Sequence, residues 1–310
     1  MREASKPARP FSLERGYART GYGMLAPALI VIALVTLFPI LYSIWMSFNK
    51  VALTSSGIHY HFNGLANYGL IFQYGPFWYS LIFTVLYAII TVAVELVLGM
   101  LLALVMNYPI RGRGVAMAIM LIPWSLITVI SAEMWGYIYN GTYGLLDYLF
   151  IHLGLTSQNI VWLGHPNLAI MSIMVADVWK TTPFVALILL AGLQLISPDL
   201  YEAAAIDGAT SWTIFWKITV PLLTNSLLLS VLFRMLQAFG LFDLPFVLTG
   251  GGPGTSTRSI AMLVWDVMFR DFQFGPGAGI AVLTVLVTTV MAVVFIRSFG
   301  SDLIGGGKKS

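Results

Sequence analysis

The most constraining feature of this sequence is a run of 25 residues, Met24 to Phe48, that contains no charged side chain. An α-helix rises about 1.5 Å per residue, so about 20 apolar residues cross the hydrocarbon core of a bilayer. The run exceeds that length, and it is also longer than the roughly 7–15-residue core of a cleavable signal sequence. We therefore expect a retained membrane span at this position.

The remainder of the chain has the same character. Of its 310 residues, 58% are hydrophobic and only 9% are charged, whereas about a quarter of the residues in a soluble domain are charged. The composition and the hydrophobic runs predict an all-α, polytopic membrane protein with six transmembrane helices. The expected spans lie at about 24–48, 77–106, 115–139, 168–196, 218–239 and 277–296.

The lysine and arginine residues predict the orientation of these spans. Eleven of the sixteen lie on the side of the N-terminus, three lie in the opposite loops, and Lys180 and Arg234 lie within spans. Because cytoplasmic loops are enriched in Lys and Arg, both termini are expected in the cytoplasm. The expected organisation is a basic cytoplasmic tail at 1–23, a transmembrane domain at 24–298 and a cytoplasmic tail at 299–310.

The residue types exclude several functions. The chain has no cysteine, so it has no disulfide framework, no thiolate metal site and no cysteine nucleophile. No phosphate-binding Gly-Lys-Ser/Thr loop is present. Of the four histidines, His59 and His61 are two residues apart, which is a weak metal signal, and we interpret them as solvated loop residues. The net charge of +3 gives no support for nucleic-acid binding. We expect no catalytic residue and no metal site in this chain.

A polar segment at 197–217 separates the fourth and fifth expected spans, and its residues predict two short helices. Ser197 and Pro198 suit the start of the first helix. Gly208 suits the left-handed position that ends a helix, and Ser211 can cap the next one. A short helix with small side chains between two spans is suited to lie in a groove of a partner protein.

This segment also carries a family resemblance. It resembles the cytoplasmic coupling loop of ATP-binding-cassette (ABC) importer permeases at Glu202, Ala203, Ala204, Asp207, Gly208, Ala209, Phe215, Ile218 and Pro221. Residues 62–68 and the loop 249–253 resemble further segments of the sugar-type permeases. Over residues 20–300 the chain is similar to the carbohydrate-import permeases of the maltose type, and most similar to the trehalose-import permeases of actinobacteria.

The resemblance implies a type I ABC importer permease fold in a bacterial plasma (inner) membrane, in contact with membrane lipid. Such a permease pairs with a second, similar permease, docks on an ABC ATPase dimer and receives sugar from an extracytoplasmic solute-binding (lipo)protein. ATP and Mg²⁺ belong to the ATPase, so no cofactor is expected in this chain. The implied substrate is a disaccharide such as trehalose or a maltose-like sugar, moved without covalent chemistry.

Polar side chains inside the spans mark a candidate substrate path, since ionisable groups are costly within a membrane. Arg234 and Gln237 are three residues apart, and Asp243 lies near the outer end of the same span, which predicts a water-filled route. Asp177 and Lys180 are also three apart and either pair with each other or line the cavity. The candidate path residues are Arg234, Gln237, Asp243, Lys180, Thr181 and Phe184.

Two further acidic residues leave an alternative open. Glu95 and Glu133 stand alone in the second and third expected spans. Each is either a carboxyl hydrogen-bonded inside the bundle or a functional group. With Asp177 they would serve as proton carriers in an ion-coupled secondary transporter. Such a transporter usually contains internal repeats with broken helices in matching positions, and no convincing repeat is present.

The topology can be tested with reporter fusions. A reporter at Gly141 or at Thr255 is expected on the outer side, and one placed after Lys309 on the cytoplasmic side, because eleven basic residues against three set the orientation. Paired alkaline phosphatase and fluorescent-protein fusions measure this. An external signal at the C-terminus would contradict the six-span arrangement.

Overall fold

The structure, a computed structural model, describes residues 12–109 and 111–299. The outer parts of the two predicted tails, 1–11 and 300–310, lie outside these residues. The elements before the chain midpoint are α1 (Ser12–Ile32), α2 (Phe38–Ser47), β1 (Asn49–Thr54), β2 (Gly57–Phe62), α3 (Ala66–Gln73), α4 (Gly75–Asn107), α5 (Arg113–Ser125), α6 (Thr128–Ile138) and α7 (Leu145–His152). Those after it are α8 (Pro166–Leu193), α9 (Pro198–Ile206), α10 (Ser211–Ile214), α11 (Val220–Leu222), α12 (Thr224–Phe239), α13 (Asp243–Thr249), α14 (Ile260–Trp265) and α15 (Phe274–Phe299).

The first apolar run forms a helix long enough to cross a membrane, Tyr22–Ser47, made of α1 and α2 joined by a π-helical turn at Ala33–Leu37. None of its most apolar 18-residue window is buried inside the chain. Its apolar side chains therefore face outward, where lipid or another membrane protein covers them. Residues 24–48 were expected to span, and the helix overlies nearly all of that range.

Three more helices are continuous and apolar over membrane-spanning lengths: Gly75–Asn107, Pro166–Leu193 and Phe274–Arg297. They overlie the expected spans at 77–106, 168–196 and 277–296. Up to this point the hydrophobic runs and the helices agree, because a continuous apolar helix satisfies its own backbone hydrogen bonds and needs no other element to define it.

The third and fifth expected spans are not single straight helices. The range 115–139 is divided between α5 and α6, which meet at 92° across the extended residues Leu126 and Ile127. In the fifth, Ser211–Leu222 meets α12 at 65°. Pro123 and Pro221 precede the two breaks, and proline removes a helical N–H donor. The described residues thus hold four continuous candidate spans, or six if each bent pair counts as one.

The stretch 49–76 contains more structure than the polar loop that the sequence predicted. Strands β1 and β2 form an antiparallel hairpin in which Asn49 pairs with Phe62. Buried Asn67 then donates its amide to the carbonyls of Ser47 (2.8 Å) and Asn49 (3.0 Å), and the hydroxyls of Tyr68 and Ser47 lie 2.7 Å apart. The family-like run at 62–68 therefore attaches the hairpin to the C-terminal end of α2.

Helices α4 and α8 form the central pair, and α12 packs against both of them. Gly99 on α4 permits their close approach, since a Cβ there would lie 2.8 Å from Val185 Cγ1 and 3.2 Å from the backbone nitrogen of Ala186. One apolar cluster lies near the C-terminal ends of α4 and α8, with Leu189, Leu193 and Leu223 among its buried members. A fixed arrangement of α4, α8 and α12 follows, and these three helices position the polar groups of the membrane domain.

Candidate functional site

The segment between α8 and α12 folds as two short helices joined by a tight turn, as its residues predict. Gly208 has a left-handed φ of +76°. The backbone nitrogen of Gly208 donates to Ala205 (3.1 Å), and that of Ala209 donates to Ala204 (2.9 Å). This pair of bonds is the Schellman arrangement, in which a left-handed residue allows the last helical carbonyls to be satisfied. The turn is therefore a defined structure rather than a loose connection.

The two helix starts differ in detail from the expected caps. Ser197 occupies the N-cap position of α9, but its side chain makes no capping hydrogen bond. The second cap is Thr210 rather than Ser211, because the Thr210 hydroxyl accepts a hydrogen bond from the backbone nitrogen of Thr213 (3.3 Å). Threonine and serine cap through the same hydroxyl, so the sequence placed the second helix correctly to within one residue.

The faces of this segment are open to a partner. Ala203 and Gly208 are exposed, and so is Glu202, whose carboxylate makes no hydrogen bond to any residue in the described ranges. The opposite side faces a cavity of about 560 Å³, lined by Tyr201 and Phe215 together with residues of the C-terminal ends of α4 and α8. The segment thus presents short, largely uncovered helices beside the C-terminal ends of α4 and α8.

The second feature is a network of charges buried between α4, α8 and α12. Arg234 of α12 donates from Nε to Glu95 Oε2, and from Nη2 to Glu95 Oε1 (2.7 Å) and to Asp177 Oδ2 (3.2 Å). Tyr87 donates to the same Asp177 oxygen (3.1 Å), and the Thr181 hydroxyl lies 2.7 Å from Glu95 Oε1. Arg234 is only 3% exposed and Glu95 is fully buried. Each charge thus has an opposite charge in contact.

These contacts correct two interpretations of the sequence. Asp177 pairs with Arg234 and not with Lys180, which is half-buried and makes no ion pair within the described parts of the chain. Glu95 is not alone, because Nε and Nη2 of the Arg234 guanidinium both donate hydrogen bonds to its carboxylate. Glu133 is exposed and has no hydrogen-bond partner among the residues that the structure describes. The acidic residues therefore do not form one chain of proton-carrying groups.

The proposed path residues divide into buried and accessible groups. Arg234 and Thr181 were expected to line a water-filled route, but both are buried because they belong to the charge network. Gln237 and Asp243 are exposed, whereas Lys180 and Phe184 are half-exposed. One face of the Phe184 ring stacks on Trp124, with the ring centroids 5.4 Å apart. Asp243 begins α13, so it lies beyond the end of α12 and not on the same helix.

Sequence reasoning missed the partners of Arg234, because Glu95 lies 139 residues and Asp177 57 residues away along the chain. A signal was nevertheless available. Two acidic residues and one arginine in three different expected spans are most economically placed together, since an unpaired charge in an apolar bundle is costly. Tyr87 gives no such signal, because a tyrosine in a span is usually an apolar or interfacial residue.

Comparison with known proteins now identifies the class. Residues 95–299 match the family of binding-protein-dependent transport system inner membrane components. The chain belongs to this family, and it is a permease subunit of such a transporter in the inner membrane. The expectation that it is not itself an enzyme agrees with this membership. The same result sets aside the ion-coupled secondary transporter.

Curated relatives cover nearly the whole chain. A trehalose/maltose transport system permease, MalF of Thermococcus litoralis, is 40% identical over 280 residues, which are 90% of this chain and 93% of the relative. A trehalose transport system permease, SugA of Mycobacterium tuberculosis, is 37% identical over 93% of this chain and 91% of its own length. The resemblance to maltose-type and trehalose-import permeases is thereby confirmed.

The fold matches a solved transporter as well. One chain of a bacterial alginate ABC transporter, crystallised in complex with an alginate pentasaccharide-bound periplasmic protein, superimposes with a TM-score of 0.77. The match covers 92% of this chain and 96% of that chain at 21% sequence identity. The expected ABC importer permease fold is therefore confirmed.

Replacing Arg234 tests the charge network. Arg234→Ala leaves Glu95 and Asp177 buried without a counter-charge, and breaking a buried ion pair in this way costs about 3–5 kcal/mol. We expect a large loss in the yield of monodisperse protein and in its apparent melting temperature. Size-exclusion chromatography of heated samples measures both.

The matched control is Arg270→Ala, which removes an exposed arginine from an ion pair with Asp266 and leaves Asp266 paired with Arg258. Exposed ion pairs contribute little, so this variant should behave as the native protein does. Native-like yield and stability of Arg234→Ala would show that Arg234 is not a structural partner of α4 and α8.

Proposed function

We propose that this chain is one of two permease subunits of an ATP-driven importer for a disaccharide, trehalose or a maltose-like sugar. The observation that carries the proposal is the similarity of nearly the whole chain to permeases of trehalose and trehalose/maltose transport systems. The second permease completes a heterodimer, an ABC ATPase dimer docks on the cytoplasmic side, and an extracytoplasmic solute-binding protein delivers the sugar.

The proposed docking segment is Glu202–Pro221, with Ala203, Ala204, Asp207, Gly208, Ala209 and Phe215 as its coupling residues. Its exposed short helices support this role, because a compact helix with small side chains fits a groove on another protein. The ATPase supplies ATP and Mg²⁺, so this chain carries no cofactor. Closure of the ATPase would displace the segment, and the defined turn at Gly208 would pass that displacement to α8 and α12.

The proposed sugar path runs along α12 and α8 on the side where Gln237, Lys180 and Phe184 are accessible, with Asp243 near its outer end. Arg234 and Thr181 belong to this site as the groups directly behind it. Arg234 is paired with Glu95 and Asp177, and the Thr181 hydroxyl donates to Glu95. The accessible surface therefore offers an amide, an ammonium group, a carboxylate and an aromatic ring. These groups suit a hydroxylated, uncharged ligand.

The proposed orientation places both termini and the docking segment in the cytoplasm. Its support is the excess of lysine and arginine on that side. The solute-binding protein then approaches the end that carries the β-hairpin, α3 and the loop 249–253. Membrane lipid covers the apolar surface of Tyr22–Ser47 wherever the second permease does not.

Uptake into proteoliposomes tests the transport function. The complex of this chain, its partner permease and its ATPase, supplied with the solute-binding protein, is expected to accumulate labelled trehalose or maltose only when ATP is hydrolysed. A non-hydrolysable ATP analogue is the control. Uptake that persists without ATP and follows an imposed proton gradient would contradict the proposal. A complex that hydrolyses ATP but takes up neither trehalose nor maltose would contradict it as well.

A pair of glycine variants tests the docking segment. Gly208 and Gly112 both have left-handed φ angles, +76° and +81°, and both have open space where a Cβ would lie. Valine at either position is expected to strain the backbone by about 1–3 kcal/mol, but only Gly208 lies in the proposed docking segment. Gly208→Val should reduce uptake and ATPase co-purification strongly, while Gly112→Val should leave both near native values.

Equal losses in the two variants would indicate backbone strain alone and would contradict a specific docking role. Native-like uptake and co-purification of Gly208→Val would contradict it as well.

A further inference from the structure

One hydrogen-bond partner of Arg234 lies at the protein surface. Arg234 donates to Glu95, to Asp177 and, through Nη1, to Gln237 Oε1 at 2.9 Å. Glu95 and Asp177 are buried, whereas Gln237 is exposed. Among the described residues bonded to Arg234, Gln237 is therefore the accessible one. The guanidinium connects two buried carboxylates to a single amide on the open face of α12.

This contact determines which end of the Gln237 amide is accessible. A glutamine amide carries an acceptor oxygen and a donor NH₂ group, and a free side chain presents either end. Here Arg234 occupies the oxygen, and the Gln237 nitrogen has no partner within the described residues. The exposed group is thus a hydrogen-bond donor, suited to a hydroxyl or ring oxygen acting as acceptor.

Arg234 is poorly placed to contact a ligand itself. It is 3% exposed, and its donors are directed at Glu95, Asp177 and Gln237. Glu95 holds the guanidinium in a two-armed contact, which fixes the plane of the group. Because the guanidinium plane is fixed, the direction of its Nη1 donor is fixed as well. The hydrogen bond from Nη1 then holds Gln237 Oε1 in one position.

We infer that Arg234 is a positioning residue for sugar recognition: held by Glu95 and Asp177, it orients Gln237 so that the amide NH₂ donates to an oxygen of a polyhydroxylated, uncharged ligand. This inference rests on the proposed sugar-import function. It adds a division of roles in which Gln237 contacts the sugar and Arg234 affects sugar binding only through Gln237.

A double-mutant cycle distinguishes positioning from simple structural support. The variants are Arg234→Lys, Gln237→Ala and the two combined, in the nanodisc-reconstituted transporter complex. Lysine keeps a positive charge beside Glu95 and Asp177, but it lacks the planar fork needed to hold Gln237 at the same time. Equilibrium binding of radiolabelled trehalose and maximal uptake at saturating solute-binding protein are measured on the assembled fraction.

One lost hydrogen bond corresponds to about a 2–10-fold weaker affinity. Gln237→Ala is expected to weaken trehalose binding by this factor, and Arg234→Lys to weaken it similarly. If Arg234 acts through Gln237, the double variant binds as Gln237→Ala alone does, since non-additivity reports dependence between neighbours. If the loss of trehalose affinity in the double variant equals the product of the two single losses, Arg234→Lys is just as damaging without Gln237. That result would overturn the inference.

Gln237→Glu provides a second test that leaves Arg234 untouched. A glutamate still offers an acceptor to Arg234, but it has no NH₂ donor, so trehalose binding should fall as far as in Gln237→Ala. Asn225→Asp, the same amide-to-acid change at an exposed position near the inner end of α12, is the control and should bind as the native complex does.

Native affinity of the Gln237→Glu complex would overturn the inference even if Arg234→Lys failed to assemble. Loss of affinity in Gln237→Glu with a native Asn225→Asp control would support it. A native complex that binds and transports neither trehalose nor maltose would instead refute the proposed sugar and the inference together. The two failures are therefore distinguishable.

Discussion

The membrane domain depends on one buried ionic contact, in which Arg234 of α12 is held between Glu95 of α4 and Asp177 of α8. Removing three charges from water is costly, and the loss is offset only when each charge has a partner and its remaining hydrogen-bonding positions are filled. Tyr87 and Thr181 fill two of these positions. The apolar side chains around them allow many helix arrangements, whereas the charges allow few, so the contact fixes how the three helices face each other.

The same three helices connect the two functional regions. The proposed docking segment follows the end of α8 and ends just before α12, so the helices that flank it carry Asp177 and Arg234. Under the proposed coupling role, a displacement at Gly208 acts on two helices that an ion pair joins, with α4 held to both of them through Glu95. Gln237 lies three residues after Arg234, on the accessible side of that unit. The proposed docking surface and the accessible amide therefore belong to one group of helices that ion pairs hold together.

Where the sequence predicted elements well, the signal was local. The span at 24–48 follows from its length without a charge, and the turn at Gly208 follows from the left-handed conformation that glycine permits. The predictions failed where distant parts of the chain compete with a local pattern. The apolar run 115–139 reads as one span, yet the backbone bends by 92° at Leu126 and Ile127. The polar stretch 49–76 reads as a loop, yet buried Asn67 holds a hairpin against α2.

The sequence by itself determined that this chain is a helical membrane protein with two short helices between its fourth and fifth apolar runs, because apolar length and a capped turn are properties of neighbouring residues. Residues 202–221 were enough to indicate the family, since that motif lies within one short segment. Only the tertiary structure decided the roles of the charged groups. Arg234 and Gln237 look equivalent in the sequence, but packing buries one beside carboxylates 139 and 57 residues away and leaves the other accessible. Charge pairing across helices depends on which faces meet, and periodicity within one helix does not specify that.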